Sequence, residues 1–129
     1  QNDNIDLSDF KTQIAYSACV SAKNMKADAI VCYTNSGDSA RALAGLGAGC
    51  PILAITDNKR TFRQLALAWN VTPIYVESQE NADKTVEAGI KKLQDKGILE
   101  KGDTVVISGG SKLMADKVES KILGGILRV

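Results

Sequence analysis

A chain of 129 residues, 44% hydrophobic and 24% charged, is long enough for one domain with its own core and has ordinary globular composition. The 16 basic and 15 acidic side chains leave a net charge of +1, a balance that gives no support to a nucleic-acid or membrane-surface role. Histidine is absent, which removes the commonest general base, the commonest metal ligand and every Ser-His or Cys-His nucleophile pair.

No apolar run approaches the roughly 20 residues of a membrane helix. The polar, acidic start "QNDNIDLSD" is unlike a signal peptide. The start at Gln1 rather than Met is read as a processed product or a piece of something longer. Cys19, Cys32 and Cys50 are odd in number and widely spaced, so neither a zinc site nor a disulfide framework is expected. They read as free thiols of a cytoplasmic protein.

In chain order, Phe10, Ile14, Ala18, Ala22 and Met25 recur at helical spacing, predicting an amphipathic helix over 8–25. "DAIVCY" (28–33) has strand length and composition. "SARALAGL" (39–46) reads as a short helix stopped near Gly47, and "PILAIT" (51–56) as a second buried strand. Asp57 or Asn58 can cap a third helix, with Phe62, Leu65 and Trp69 along its inner side. "TPIYV" (72–76) is a third strand. Ala82, Val86, Ile90 and Leu93 form the inward stripe of a helix over 81–96, with Glu87 and Lys91 an i,i+4 pair outside. "DTVVIS" (103–108) and "ILGGILRV" (122–129) complete five strands. Uniformly apolar strands separated by helices predict a mostly parallel sheet covered on both faces. A doubly wound three-layer α/β/α sandwich, one domain over 1–129, is the expected fold.

In such folds ligands bind beyond the carboxyl ends of the strands. Thr34-Asn35-Ser36-Gly37-Asp38-Ser39 stands there, between a strand and a helix start. Its hydroxyls, its glycine and the helix N–H groups can form an anion cradle. The same residue types also suit a plain turn and N-cap, and Asp38 brings like charge to an anion site. Ser108-Gly109-Gly110-Ser111-Lys112 follows the fourth strand and adds a cation. "GLGAG" (45–49) runs from helix to strand, the wrong polarity for a dinucleotide loop, and no Gly-Lys-Ser/Thr occurs.

The stretches "ADAIVCYTNSGDSARALA", "CPILAITDNKRTFRQLALAWNVTPIYV" and "GIKKLQDKGILEKGDTVVIS" share order and spacing with one family. Over essentially its whole length the chain resembles the C-terminal, regulatory domain of pyruvate kinase. The resemblance implies a five-stranded sheet, four strands parallel and the last antiparallel, with the fourth strand beside the first. In that family a Thr-x-Ser-Gly-x-Ser loop grips a phosphate of the allosteric activator. Thr34, Ser36, Gly37 and Ser39 match that pattern, and Asn35 and Asp38 fill its variable places.

Members that respond to fructose 1,6-bisphosphate often carry a tryptophan and an arginine before the long helix. Here "ESQENADKT" (77–85) has only Lys84, and 109–125 lacks the Gly-x-Thr-Asn closing loop. A sugar phosphate or nucleotide monophosphate, such as ribose 5-phosphate or AMP, is the expected effector. Gly110, Lys112 and Lys84 are possible further contacts. The family's catalytic (β/α)₈ barrel, with its Mg²⁺ and K⁺, needs about 250 residues and is absent, so no catalytic residue, cofactor or metal site is expected in this chain. By resemblance its partners are that barrel and a second copy of itself. A stand-alone sensor of a phosphorylated metabolite and a purely structural assembly domain are the alternatives.

Overall fold

The computed structural model describes residues 7–109 and 123–129. Helix α1 (Leu7–Met25) precedes β1 (Ala29–Tyr33), α2 (Asp38–Gly45), β2 (Ile52–Thr56) and α3 (Lys59–Leu65). Then come β3 (Val71–Tyr75), α4 (Ala82–Asp95), β4 (Thr104–Ser108) and β5 (Gly125–Arg128). The sheet order is β3-β2-β1-β4-β5.

Every residue of β2 and the first four of β1 are buried, as strands covered on both faces must be. Alternate strand residues feed two cores. Val31, Leu53, Ile55 and Ile107 pack with Val86, Ile90 and Leu93 of α4. Ile30, Cys32, Ile52 and Val106 pack on the other face with Ala18 of α1, Leu43 of α2 and Leu65 of α3. Gly89 lets α4 lie close to the sheet, because a Cβ there would come within 2.5 Å of Ile55 Cδ1. Helix starts are set by local chemistry: Asn58 accepts from the N–H groups of Arg60 and Thr61, and Asn81 from that of Lys84. Gly47, at φ +67°, follows α2 in the left-handed conformation common just past a helix end.

The chain moves outward from β1 through β2 to β3, then returns to place β4 on the other side of β1. Strand order therefore reverses between β1 and β4. Cys32 is level with Ser108 in that ladder, so the segments that follow both strands leave the sheet side by side.

Five expectations are corrected. The last strand is parallel, not antiparallel: β5 runs with β4 from Thr104↔Gly125 to Ile107↔Arg128. A short apolar strand carries no mark of direction. The connection, residues 109 to 124, has the dozen or more residues that a parallel crossover needs. Trp69 is not in the core. Helix α3 ends at Leu65, before the helical period reaches Trp69, and the indole is 85% exposed in the turn to β3. On α1 the buried face is Ala15, Ala18, Cys19 and Ala22, while Phe10 is 58% exposed. Small side chains permit closer packing on the sheet, and the chosen face turns the large residue outward. Ala82 is likewise exposed at the first turn of α4, and Lys91 pairs with Asp95 at 3.7 Å.

Candidate functional site

Residues 34–39 build their turn from their own side chains. Thr34, buried at the end of β1, accepts the Gly37 N–H on its Oγ1 at 2.8 Å. Ser36 Oγ accepts the Asp38 N–H at 3.2 Å. Gly37 takes φ +94°, a conformation costly for any residue with a Cβ, and stands as the N-cap of α2. With no side chain there, no cap occupies the N–H groups at the second and third helix positions, Ser39 and Ala40. From outside the loop, Thr61 donates to the Asn35 carbonyl at 2.6 Å, which ties α3 to this turn.

Sequence reasoning missed the charges around it. Arg41, one turn into α2, donates from Nη1 to the Ser36 carbonyl at 3.1 Å and lies 3.8 Å from Asp38. Lys11, on α1, comes within 4.0 Å of Asp38. Two cations thus flank the one carboxylate of the loop and offset the like charge it would offer an anion. Arg41 was findable, because it follows Gly37 by four residues on a short helix. Lys11 was not, since only the packing of α1 beside α2 brings it near.

At the neighbouring strand ends, Tyr33 donates to the Asp57 carboxylate at 3.1 Å and Ser78 donates to it at 2.8 Å. Burial, then the hydrogen bond and the charge of Asp57, push the Tyr33 phenol above its ordinary value. This network joins the ends of β1 and β2 and the segment after β3. Ser108 and Gly109 stand beside the β1 end, whereas Gly110, Ser111 and Lys112 lie outside the described residues. Lys84 is exposed in the first turn of α4, on the sheet face opposite α2. The structure therefore gathers Thr34 through Ser39 into one turn and leaves Lys84 on another layer.

Among the described residues no group of three or more Cys, Asp or Glu side chains is disposed to hold a metal ion. Cys19, Cys32 and Cys50 are free thiols, and full burial pushes that of Cys32 up to about 12. No helix among the described residues is long and apolar enough to cross a membrane.

A family model described as the pyruvate kinase alpha/beta domain matches residues 12–119. The pyruvate kinase of Buchnera aphidicola is 36% identical over 103 residues, which are 79% of this chain and 22% of that protein. The pyruvate kinase of Clostridium acetobutylicum is 30% identical over 97 residues, 75% of this chain and 20% of that one. A crystal structure of a pyruvate kinase from Cryptosporidium parvum shares the fold, with a TM-score of 0.73 at 22% identity over 86% of this chain and 22% of that chain. The chain thus spans about a fifth of the length of the relatives it matches. Matched over most of its length, this chain belongs to the family of the pyruvate kinase alpha/beta, C-terminal domain.

Proposed function

We propose that the chain is the effector-binding and assembly domain of a cytoplasmic pyruvate kinase, the enzyme that passes a phosphoryl group between phosphoenolpyruvate and ADP. One observation carries the reading. In a chain of this family, the Thr34–Ser39 turn stands beside the reversal of strand order with the Ser39 and Ala40 N–H groups of α2 uncapped and two cations at its rim. The hydroxyls of Thr34, Ser36 and Ser39 and the N–H groups of Ser39 and Ala40 would hold one phosphate, with Asn35, Gly37 and Asp38 shaping the turn. Arg41 and Lys11 would screen Asp38. The effector is a sugar phosphate or nucleotide monophosphate. Phosphoryl transfer, with Mg²⁺ and K⁺, belongs to the barrel of a longer enzyme, so this chain by itself turns nothing over.

Leu67 and Trp69, 90% and 85% exposed between α3 and β3, are apolar surface that a covering domain would bury. The barrel is the partner we assign to it. Among the described residues strand β5 is a sheet edge, which would pair with a second copy about a twofold axis. Sedimentation at high concentration should show a dimer; a strict monomer counts against assembly.

Calorimetry with ribose 5-phosphate, AMP and fructose 1,6-bisphosphate tests the loop. A ligand that binds only the folded state raises its stability by about 2.7 kcal/mol at a hundredfold excess over Kd. Ser36→Ala with Ser39→Ala should abolish most of that gain. Equal affinity in the wild type and the double variant would show that the loop is only a turn.

A further inference from the structure

On the α4 side of the sheet, the carboxyl ends of β1, β4 and β5 meet the first turn of α4 around a cavity of about 40 Å³. Tyr33, Asp83, Val86, Ile107, Ser108 and Arg128 line it. The wall is largely apolar, yet it contains a cation. The Arg128 side chain is only 7% exposed, and its Nε, Nη1 and Nη2 have no hydrogen-bond partner among the described residues. Its carboxylate contact among the described residues, Asp83 Oδ1, lies 3.6 Å from Nη2, near enough for an ion pair and too far for a hydrogen bond. Burial lowers the Arg128 pKa and the charge of Asp83 opposes that shift, but a guanidinium stays charged.

A buried cation whose donors all lack acceptors is an expensive arrangement unless something completes it. The other groups on the wall do not. Tyr33 turns its hydroxyl to Asp57 instead. The cavity has room for more than one water, hence for the head of a small anion. It also faces the N-terminus of a 14-residue helix, where partial positive charge favours negative ligands. A guanidinium fork matches two oxygens of an oxyanion better than it matches water.

We propose that this cavity is a binding site for one small oxyanion group, a phosphate or a carboxylate, held in bidentate fashion by Arg128. Its charged groups come from β5 and α4, and it shares no lining residue with the Thr34–Ser39 turn. Asp83 competes for the same guanidinium and limits the affinity.

The test follows the Arg128 Nε–H signal by ¹H–¹⁵N spectroscopy of the 129-residue chain, at fixed pH and ionic strength. Inorganic phosphate, acetate and chloride are titrated in separate arms. The signal should shift saturably with phosphate or acetate, whichever head the site takes, and hardly at all with chloride. Asp83→Asn should tighten binding several-fold. Arg128→Met should abolish it, and Arg128→Lys, which keeps the charge and loses the fork, should weaken it at least tenfold. Ser36→Ala with Ser39→Ala should leave it unchanged, so failure of the loop reading and failure of this one are told apart. No response of wild-type Nε–H, a chloride response as large as that to phosphate, or weaker binding in Asp83→Asn would overturn the proposal. The wild-type arms decide even where an arginine variant does not fold.

Discussion

The Thr34–Ser39 turn and the Arg128 cavity lie at the same end of the sheet, beside neighbouring strands, and treat their polar groups in opposite ways. The turn satisfies the N–H groups of Gly37 and Asp38 from within, through Thr34 and Ser36, and keeps its charges in water. The cavity takes a guanidinium out of water and, among the described residues, gives it a carboxylate at 3.6 Å and no hydrogen bond. Local hydrogen bonds make the turn part of what holds the fold together. The ion pair in the cavity is a load on stability, since desolvating two charges offsets most of their attraction. If so, removing polar groups should destabilise the protein at the first place and not at the second.

The largest effect is expected from Thr34→Val. The isostere keeps the shape and leaves the buried Gly37 N–H without an acceptor, which should cost about 1–3 kcal/mol in urea denaturation. A loss near zero would mean that the turn does not depend on this bond. Gly37→Ala follows, at about 1–2 kcal/mol, because φ +94° is strained for alanine. Its new Cβ would come 2.6 Å from Arg41 Nη1, but the end of that side chain can move aside.

The opposite outcome is expected at the cavity. Arg128→Met combined with Asp83→Asn should leave stability unchanged or raise it by about 1 kcal/mol, because both buried charges go together. A loss of more than about 2 kcal/mol would make the pair a structural clasp and erase the contrast. The smallest effect concerns Tyr33, which borders both places. Its folded pKa lies above its unfolded value, so its contribution to stability is complete below about pH 10 and is lost as the pH rises through the folded value. Asp57→Asn removes the charge that adds to the shift. Denaturation between about pH 9 and 11 should therefore show a steeper fall in the wild type than in that variant.

Much of the fold was legible because its signals are local. Short apolar runs such as "AIVC" and "ILAIT", rich in β-branched residues, read as strands buried on both faces, and Asn58 and Asn81 announce the helices they cap. The Thr34–Ser39 turn was legible for the same reason, since its bonds span two or three residues. The misread positions depend on what comes near in space. Trp69 continued a helical period that the chain had already left at Leu65. Phe10 lay on one of two overlapping faces of α1, and only the depth of packing on the sheet chose between them.

By itself the sequence determined the alternation of strands and helices, the family, and the turn that follows β1, because each is written in residues close together along the chain. Only the tertiary structure decided the direction of β5, the approach of Lys11 to Asp38 and the burial of Arg128 against α4. In "GILRV" nothing local tells where the arginine side chain goes. Whether it meets water or a helix start depends on which way that strand runs, and an isolated strand has no preferred direction until its neighbour pairs with it.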